Sequence, residues 1–293
     1  MPRCSRFYEC LKAGIFVAFG ATAASLGFSY REKVDRRVEA TESPRSSQLV
    51  PWPSFVDSEP VKKVGIPSVS HLRIFDGFVC AYDRRTRIPL WVLEHLTPEK
   101  LSPPTNNGKS LQPVDRSQLN YYEDLGELHM FRATNEDYKS SGYDRGHMAA
   151  AGNHLFERAA MAQTFILSNI APQVGRGFNR HAWNDLEKYV RAIARNTHNV
   201  VVVTGPLFLP HASPDATKKF VTYEVIGPND VAVPTHFFKA ISIQEAPNSS
   251  WKIFAWVLPN MVLPEKVDLR QFQVPLSAVE RASGLKLFPN LPR

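Results

Sequence analysis

One amphipathic helix pattern, set among strand-forming segments, constrains the fold of this 293-residue chain more than any other feature. Within residues 180–196, the apolar residues Trp183, Leu186, Val190 and Ile193 recur at helical spacing. The segments around it are rich in β-branched and aromatic residues, which is typical of strands. The sequence therefore predicts an α+β fold with one core, in which a long central helix packs on a mixed or antiparallel sheet. The predicted strands are 78–82, 90–96, 164–170, 200–204, 220–226, 236–243 and 251–258, with a hairpin turn at 83–88.

Several local signals predict where individual elements begin and end. Gly205 and Pro206 follow an unbroken apolar run and predict a sharp stop to the strand 200–204. Ser277 and Glu280 have the spacing of a capping box, which predicts the start of a short helix that Gly284 ends.

The first 37 residues read as a targeting segment. Three basic residues before position 13 precede an apolar run at 13–30, and further basic residues follow the run. A mitochondrial targeting segment with a membrane-associated stretch fits this basic, acid-poor start. A secretory signal cleaved within residues 21–25 is the alternative that the residues leave open.

Residues 38–65 contain repeated prolines and serines that interrupt any helical or strand period. Such a composition predicts a disordered linker. The folded domain is therefore expected at residues 66–293.

The charge of the chain favours a polyanionic partner. The 35 Lys and Arg residues exceed the 28 Asp and Glu residues, which gives a formal net charge of +7. An excess of this size suits nucleic acid or an anionic membrane surface. The three cysteines form no C-x-x-C pair, so the sequence argues against a zinc site built on thiolates.

The stretch 141–153 is polar, flanked by glycines, and places Asp144, Arg145 and His147 within four positions. Phosphodiester hydrolysis needs a base that deprotonates water and cations that offset the charge growing on the phosphate oxygens. A histidine can be that base near neutral pH, and an arginine can hold a phosphate with two hydrogen bonds. The structural alternative is a turn in which Asp144 pairs with Arg145.

A second element, 175–187, carries Asn179 near the predicted start of the helix and Glu187 eight residues later. Eight residues of helix span about 12 Å, so both side chains cannot easily bind one small ion directly. A magnesium ion that keeps most of its waters fits better, with Asn179 as a direct ligand and Glu187 bound through water. The alternatives are an N-cap role for Asn179 and a solvated surface position for Glu187.

The Asp144–His147 motif followed by Asn179 and Glu187 resembles the DNA/RNA non-specific endonuclease family, with its ββα-metal fold, and in particular the mitochondrial branch of that family. The resemblance extends over about residues 63–289 and includes blocks at 91–94, 132–135, 167–169, 172–173, 205–207 and 232–239. It implies that the long central helix lies next to the active site.

The resemblance also implies roles for individual residues. His147 would activate the attacking water, and Asn179 would be the only direct protein ligand of the metal. Glu187 would act through water, and Arg145 would lie near the scissile phosphate. Three further residues have implied roles: Asp144 in orienting the motif, Asn169 in lining the site and Arg132 in a further phosphate contact.

The function implied is a Mg²⁺-dependent endonuclease, with Mn²⁺ able to substitute, that cuts DNA and RNA with weak sequence preference and leaves 5′-phosphate ends. Arg176 and Arg180 lie near the site elements and can track the nucleic-acid backbone. The family also implies a homodimer in the mitochondrial intermembrane space, with the N-terminal segment associated with the mitochondrial inner membrane. Release to the nucleus in apoptosis and turnover of organellar DNA are the associated roles.

Three other functions are weighed against this one. An exonuclease-like enzyme of the same family needs a free end, and a retired nuclease that only binds nucleic acid has no use for His147, Asn179 and Glu187 together. A zinc hydrolase is disfavoured because the chain contains no H-E-x-x-H motif.

Overall fold

A seven-stranded antiparallel sheet forms the centre of the structure, with strand order β1-β2-β3-β8-β13-β14-β15. Its strands are β1 (Ser70–Ile74), β2 (Phe78–Asp83), β3 (Ile88–Leu96), β8 (Asn199–Leu207), β13 (His236–Gln244), β14 (Trp251–Pro259) and β15 (Gln273–Val274).

The sheet belongs to a computed structural model that describes residues 70–106, 109–110 and 112–292. The predicted targeting segment and linker lie outside the described residues. Within the described ranges, no helix has the length and apolar character needed to cross a membrane.

The remaining strands form two-stranded pairs, and most helices are short. The pairs are β4 (Thr105–Asn106) with β5 (Lys109–Ser110), β6 (Tyr143–His147) with β7 (Ile170–Val174), β9 (His211–Ala212) with β10 (Lys219–Phe220), and β11 (Val225–Ile226) with β12 (Val231–Ala232). The α-helices are α1 (Pro98–Leu101), α2 (Asn135–Tyr138), α3 (Arg158–Gln163), α4 (Asn184–Arg195) and α5 (Leu276–Ser283), and a π-helical segment, Gly175–Trp183, leads directly into α4.

Hydrophobic side chains cover both faces of the sheet. On one face, Phe178 and Trp183 of the π-helical segment pack on Phe237 of β13, with ring centroids 5.6 to 5.8 Å apart. On the other face, Val279 of α5 packs in a cluster that contains Phe238. Neighbouring residues of β13 thus point to opposite sides, as strand geometry requires. The long helix and the segment before it are thereby held against the middle of the sheet.

The predicted fold class is confirmed. The strands predicted at 78–82, 90–96, 236–243 and 251–258 are present, each within one or two residues of its predicted bounds. The helix predicted at 180–196 is present as the end of the π-helical segment followed by α4. The pairing of the central sheet is antiparallel throughout its described strands.

The predicted strand 164–170 is wrong. The Thr164 hydroxyl donates to the Met161 carbonyl at 2.7 Å, and the Asn169 amide donates to the Thr164 carbonyl at 2.8 Å. Polar side chains that bond nearby backbone in this way favour turns over a sheet ladder. Only Ile170 belongs to a strand, because β7 begins there.

The predicted strand 220–226 is also wrong. Its ends belong to two separate short strands, β10 and β11, which pair with local partners. Most of the residues between them are exposed. The strand-forming residues of this segment predicted one continuous strand. In the structure, no strand of the central sheet pairs with the described residues 220–226.

Two predicted boundaries differ from the structure. Strand β8 continues through Pro206 to Leu207, because β13 still pairs with it there while its pairing with β3 has ended at Thr204. A proline is tolerated where its missing N–H would face an unpaired side. The capping box at Ser277 does not form: α5 follows Pro275 without a side-chain cap, and Glu280 accepts a hydrogen bond from the Leu287 N–H instead. Gly284 ends α5 with φ of 74°, as predicted.

Candidate active site

The motif that carries His147 is a strand and not a turn. Strand β6 pairs with β7 so that Asp144 lies opposite Gln173 and His147 lies opposite Ile170. The chain then runs from β7 directly into the π-helical segment and α4. Two antiparallel strands followed by a helix make a ββα unit, and this unit carries Asp144, His147, Asn179 and Glu187.

His147 is held neutral in an aromatic pocket. Its side chain is 8% exposed, and its ring lies 5.5 Å from the Tyr121 ring and 4.9 Å from the Phe165 ring, measured between centroids. Burial, with the charge of Arg116 as a second cause, lowers the pKa of His147 from 6.5 to about 3. Its Nε2 is buried and has no hydrogen-bond partner among the described residues. A neutral imidazole has one nitrogen that can accept a proton, as a general base requires.

Asn179 and Arg180 both bind the carboxylate of Asp144. The Asn179 Nδ2 donates to Asp144 Oδ2 at 2.8 Å. Arg180 donates through Nε to Oδ2 at 2.8 Å and through Nη2 to Oδ1 at 2.6 Å. Burial by itself raises the pKa of Asp144, but the hydrogen bonds from Arg180 and Asn179 outweigh it and leave the pKa below its ordinary value. The partner of Asp144 is therefore Arg180 and not Arg145, which contradicts the alternative of a local Asp144–Arg145 turn.

The start of the π-helical segment explains how Asn179 reaches Asp144. Gly177 has φ of 80°, and a Cβ there would lie 2.4 Å from the Leu263 carbonyl oxygen. A glycine is needed because an L side chain rarely adopts this φ and would collide with that backbone. Arg176, with ψ of 138°, and Gly177 are non-helical, so the continuous helical backbone that carries Asn179 begins after Gly177. The described side-chain hydrogen bond of Asn179 is a donation to Asp144 and not a cap on the first turn.

Glu187 lies in a buried charged network and not on a solvated helix face. Its side chain is 16% exposed, and its Oε2 lies 4.0 Å from Nη1 of Arg191, one turn later on α4. Arg191 Nη1 also donates to Asn153 Oδ1 at 3.1 Å, and Asn153 Nδ2 donates to Glu94 Oε1 at 2.8 Å. Burial raises the pKa of Glu187, while the charges of Lys239 and Arg191 act in the opposite direction. The expectation of a solvated surface position for Glu187 is thus wrong.

Arg145 lies within strand β6 of the ββα unit, and Asn169 lies immediately before strand β7. The Arg145 guanidinium lies 5.4 Å from the ring centres of Tyr121 and Tyr138, and its Nη2 donates to the Asn135 carbonyl at 3.0 Å. Asn169 is fully buried, and its amide bonds the backbone of Ala149 at both the N–H and the carbonyl. Asn169 therefore holds the loop that follows His147, since its polar atoms are taken up by backbone.

Arg132 and Arg176 are engaged elsewhere. Arg132 donates through Nε to the Glu127 carbonyl at 2.7 Å and through Nη2 to the Leu125 carbonyl at 3.2 Å. Arg176 is 80% exposed and pairs with Glu265 at 3.3 Å. Among the described contacts, neither arginine touches His147, Asn179 or Glu187.

The sequence reasoning missed Arg116, Glu94 and Arg191 as parts of the site. Arg116 is exposed, its guanidinium lies 5.6 Å from the centre of the Phe165 ring, and its charge lowers the pKa of both His147 and Glu187. No motif surrounds Arg116. Glu94 lies within one of the blocks of the family resemblance, but only the fold links it, through Asn153, to Arg191 of α4.

The donor set fits a hydrated divalent cation. In the described part of the chain, no three His, Cys, Asp or Glu side chains cluster as a metal site. Because Asn179 Nδ2 faces the Asp144 carboxylate, its Oδ1 is directed away from Asp144 and is available as a ligand. The amide oxygen of Asn179 and the carboxylate of Glu187 are hard donors, which suit a cation that keeps most of its waters. They do not suit a thiolate or multi-histidine zinc site.

The buried, neutral state of His147 predicts a pH dependence of stability. The pKa of His147 is about 3 in the folded protein and 6.5 in the unfolded chain. As the pH falls below 6.5, the unfolded chain therefore binds more protons than the folded protein, and the free energy of unfolding decreases. We expect the free energy of unfolding of the parent protein, relative to a His147→Gln variant, to fall by about 2 kcal/mol between pH 7 and pH 5. Urea titrations of both proteins at several pH values measure this difference, and the buried His236 is common to both. Parallel stability curves would contradict a neutral, buried His147.

Comparisons with known proteins identify the family of the chain. The sequence profile of the family described as "DNA/RNA non-specific endonuclease" matches residues 57–293. The chain is 46% identical to mitochondrial endonuclease G of Caenorhabditis elegans over 234 residues, covering 80% of this chain and 73% of the relative. It is 42% identical to mitochondrial endonuclease G of Bos taurus over 295 residues, covering 97% and 95%.

A solved structure of a complex between EndoG and EndoGI, described as showing the mechanism of EndoG inhibition, shares the fold. It matches with a TM-score of 0.71 and 47% identity, covering 79% of this chain and 91% of that chain. Together with the ββα unit, these matches show that the chain belongs to the DNA/RNA non-specific endonuclease family, and that it is a metal-dependent hydrolase of nucleic acids with the ββα-metal fold.

Proposed function

We propose that the chain is a Mg²⁺-dependent endonuclease that hydrolyses DNA and RNA with His147 as general base. The proposal rests on strand β6, which holds two of the residues that the reaction needs. It presents a neutral, buried His147 at one end, and at the other it presents Asp144, which holds the Asn179 amide at 2.8 Å. One short strand thus carries the proposed base and, through Asp144, holds the residue proposed to bind the cation.

The protein groups divide the reaction between them. His147 accepts a proton from water, the water oxygen forms a bond to phosphorus, and the P–O3′ bond breaks. The departing O3′ takes a proton from solvent, which leaves 5′-phosphate and 3′-hydroxyl ends. Asn179 Oδ1 would hold the metal ion directly, and Glu187 would hold one of its waters. A bound Mg²⁺ supplies Lewis-acid stabilisation of the charge on the phosphoryl and leaving oxygens, and Mn²⁺ can take its place.

Cationic side chains lie on or near the ββα unit and are proposed to contact the phosphates around the scissile bond. Arg116 is exposed, and its charge acts on both His147 and Glu187. Arg145 is held by Tyr121, Tyr138 and the Asn135 carbonyl. Arg176 is exposed enough to contact a flanking phosphate. Arg132 donates to two carbonyls, which favours a structural role in its loop over a phosphate contact.

We expect Arg116→Gln to weaken nucleic-acid binding without abolishing it. One phosphate contact fewer lowers the slope of log affinity against log salt by about one. Fluorescence anisotropy with a labelled duplex across a range of salt concentrations measures this slope. A variant with the parent's affinity and slope would show that Arg116 makes no phosphate contact.

The proposal also covers the location and the assembly of the enzyme. We infer a mitochondrial location, because the similar endonuclease G proteins are named mitochondrial. We further propose the intermembrane space, with residues 1–37 as a targeting and membrane-associated segment, 38–65 as a linker and 66–293 as the nuclease domain. A homodimer, release to the nucleus and roles in apoptotic or organellar DNA degradation complete the proposal.

Nicking of covalently closed, supercoiled plasmid in the presence of Mg²⁺ tests the function, with RNA digestion measured in parallel. We expect both substrates to be cut, and chelation of the metal by EDTA to stop both reactions. Intact closed circles together with digestion of linear DNA would indicate an exonuclease. Binding of DNA without any cleavage would indicate a retired nuclease.

A further inference from the structure

Arg180 is exposed at the surface, yet its guanidinium forms an ion pair with a neighbouring carboxylate. The side chain is 67% exposed, and both of its hydrogen bonds, through Nε and Nη2, end on the two oxygens of Asp144. A two-point contact of this kind fixes the plane of the carboxylate as well as its position. The geometry therefore makes Asp144 a rigid acceptor.

Asn179 donates its Nδ2 to the same Oδ2 that accepts from Arg180 Nε. An ionised carboxylate only accepts hydrogen bonds, so the amide NH₂ and not the amide oxygen must face it. The Asn179 Oδ1 is then directed away from Asp144. If the carboxylate were mobile, the amide could turn over and present its NH₂, which repels a cation.

The loop backbone leaves room for this arrangement at Gly175. A Cβ on Gly175 would lie 2.9 Å from both carboxylate oxygens of Asp144. This separation is tighter than ordinary van der Waals contact. Glycine at this position lets the carboxylate lie against the first turn of the segment that carries Asn179 and Arg180.

We propose that Arg180 is a positioning residue for the metal site: by clamping Asp144 it directs the Asn179 oxygen toward the cation. This inference rests on the proposed role of Asn179 as the metal ligand. It replaces the expectation from sequence that Arg180 tracks the nucleic-acid backbone. The two roles differ in what they require, since a clamp needs the planar fork of arginine, whereas a phosphate contact can be made by lysine.

The test compares four variants of the full chain with the parent: Arg180→Lys, Arg180→Gln, Asn179→Ala and Arg270→Gln. Arg270 is a matched control because it is also exposed and forms a two-point pair, with Asp268, outside the site. Binding of Mn²⁺ alone is measured by calorimetry or by the loss of its free EPR signal. The salt dependence of duplex binding is measured without metal, and thermal melts report folding.

We expect Arg180→Lys and Arg180→Gln both to weaken Mn²⁺ binding by about 10- to 100-fold, the usual effect of removing a group that orients a metal ligand. Arg270→Gln should bind Mn²⁺ like the parent, and the salt slope should be unchanged in Arg180→Lys and Arg180→Gln. Parent-like Mn²⁺ binding by both Arg180 variants, while Asn179→Ala loses it, would overturn the inference alone. Parent-like binding by Asn179→Ala would overturn the metal site itself.

Discussion

We expect the His147→Ala variant to nick supercoiled plasmid about 10²- to 10⁴-fold more slowly than the parent protein, because removal of a general base costs a rate factor of this size. The imidazole is neutral, with its pKa lowered to about 3, so it accepts a proton without first having to lose one. Neither of the two rings beside the imidazole, those of Tyr121 and Phe165, supplies a second base. Initial rates at saturating Mg²⁺ measure the loss.

A matched histidine variant separates chemistry from folding in this experiment. His95 is exposed and bonds Asn199 at 2.8 Å on the sheet, so His95→Ala should keep the parent's rate. Circular dichroism and thermal melts establish that both variants fold. A folded His147→Ala protein with nearly the parent's nicking rate would show that another group activates the water.

The second large effect is expected at Asn179. The Asn179→Ala variant removes the proposed direct ligand, and the metal ion contributes several kcal/mol of transition-state stabilisation. At 1.36 kcal/mol for each factor of ten, this corresponds to a loss of about 10²- to 10³-fold in rate, together with a higher Mg²⁺ requirement. Nicking rates measured across a Mg²⁺ titration report both quantities.

Asn196→Ala is the control for this measurement. Asn196 lies at the other end of the same helix, is exposed and bonds the Ala192 carbonyl at 2.7 Å. Its replacement should leave the Mg²⁺ titration as in the parent. If Asn179→Ala gave that same titration, Asn179 could not be the ligand, and the role of strand β6 in placing a cation would be lost.

Much of the fold could be predicted because local pattern and tertiary environment agree. The strands around Val92, Phe237 and Trp256, like the helix that contains Leu186 and Val190, are predicted by the spacing of apolar residues that the structure buries. The predictions failed where polar side chains or pairing partners decide the backbone. At Thr164 and Asn169 these side chains bond nearby carbonyls, and at Pro206 the strand continues because one partner persists.

The candidate site, like the fold, could be predicted only in part. The sequence indicated His147, Asn179 and Glu187 from the chemistry of their side chains and from the family resemblance. It did not indicate that Arg180 binds Asp144, or that Arg191, Asn153 and Glu94 form a network beside Glu187.

The amino-acid sequence alone determined the class of fold, the family and the residue types able to perform the chemistry, because hydrophobic period and short motifs are local properties of the chain. Only the tertiary structure decided the protonation of His147, the direction of the Asn179 amide and the partners of each arginine. These depend on burial and on charges from segments distant in sequence, such as Arg116 near His147 and Lys239 near Glu187. Electrostatic energies in a low-dielectric interior are set by distances in space, which no spacing along the chain contains.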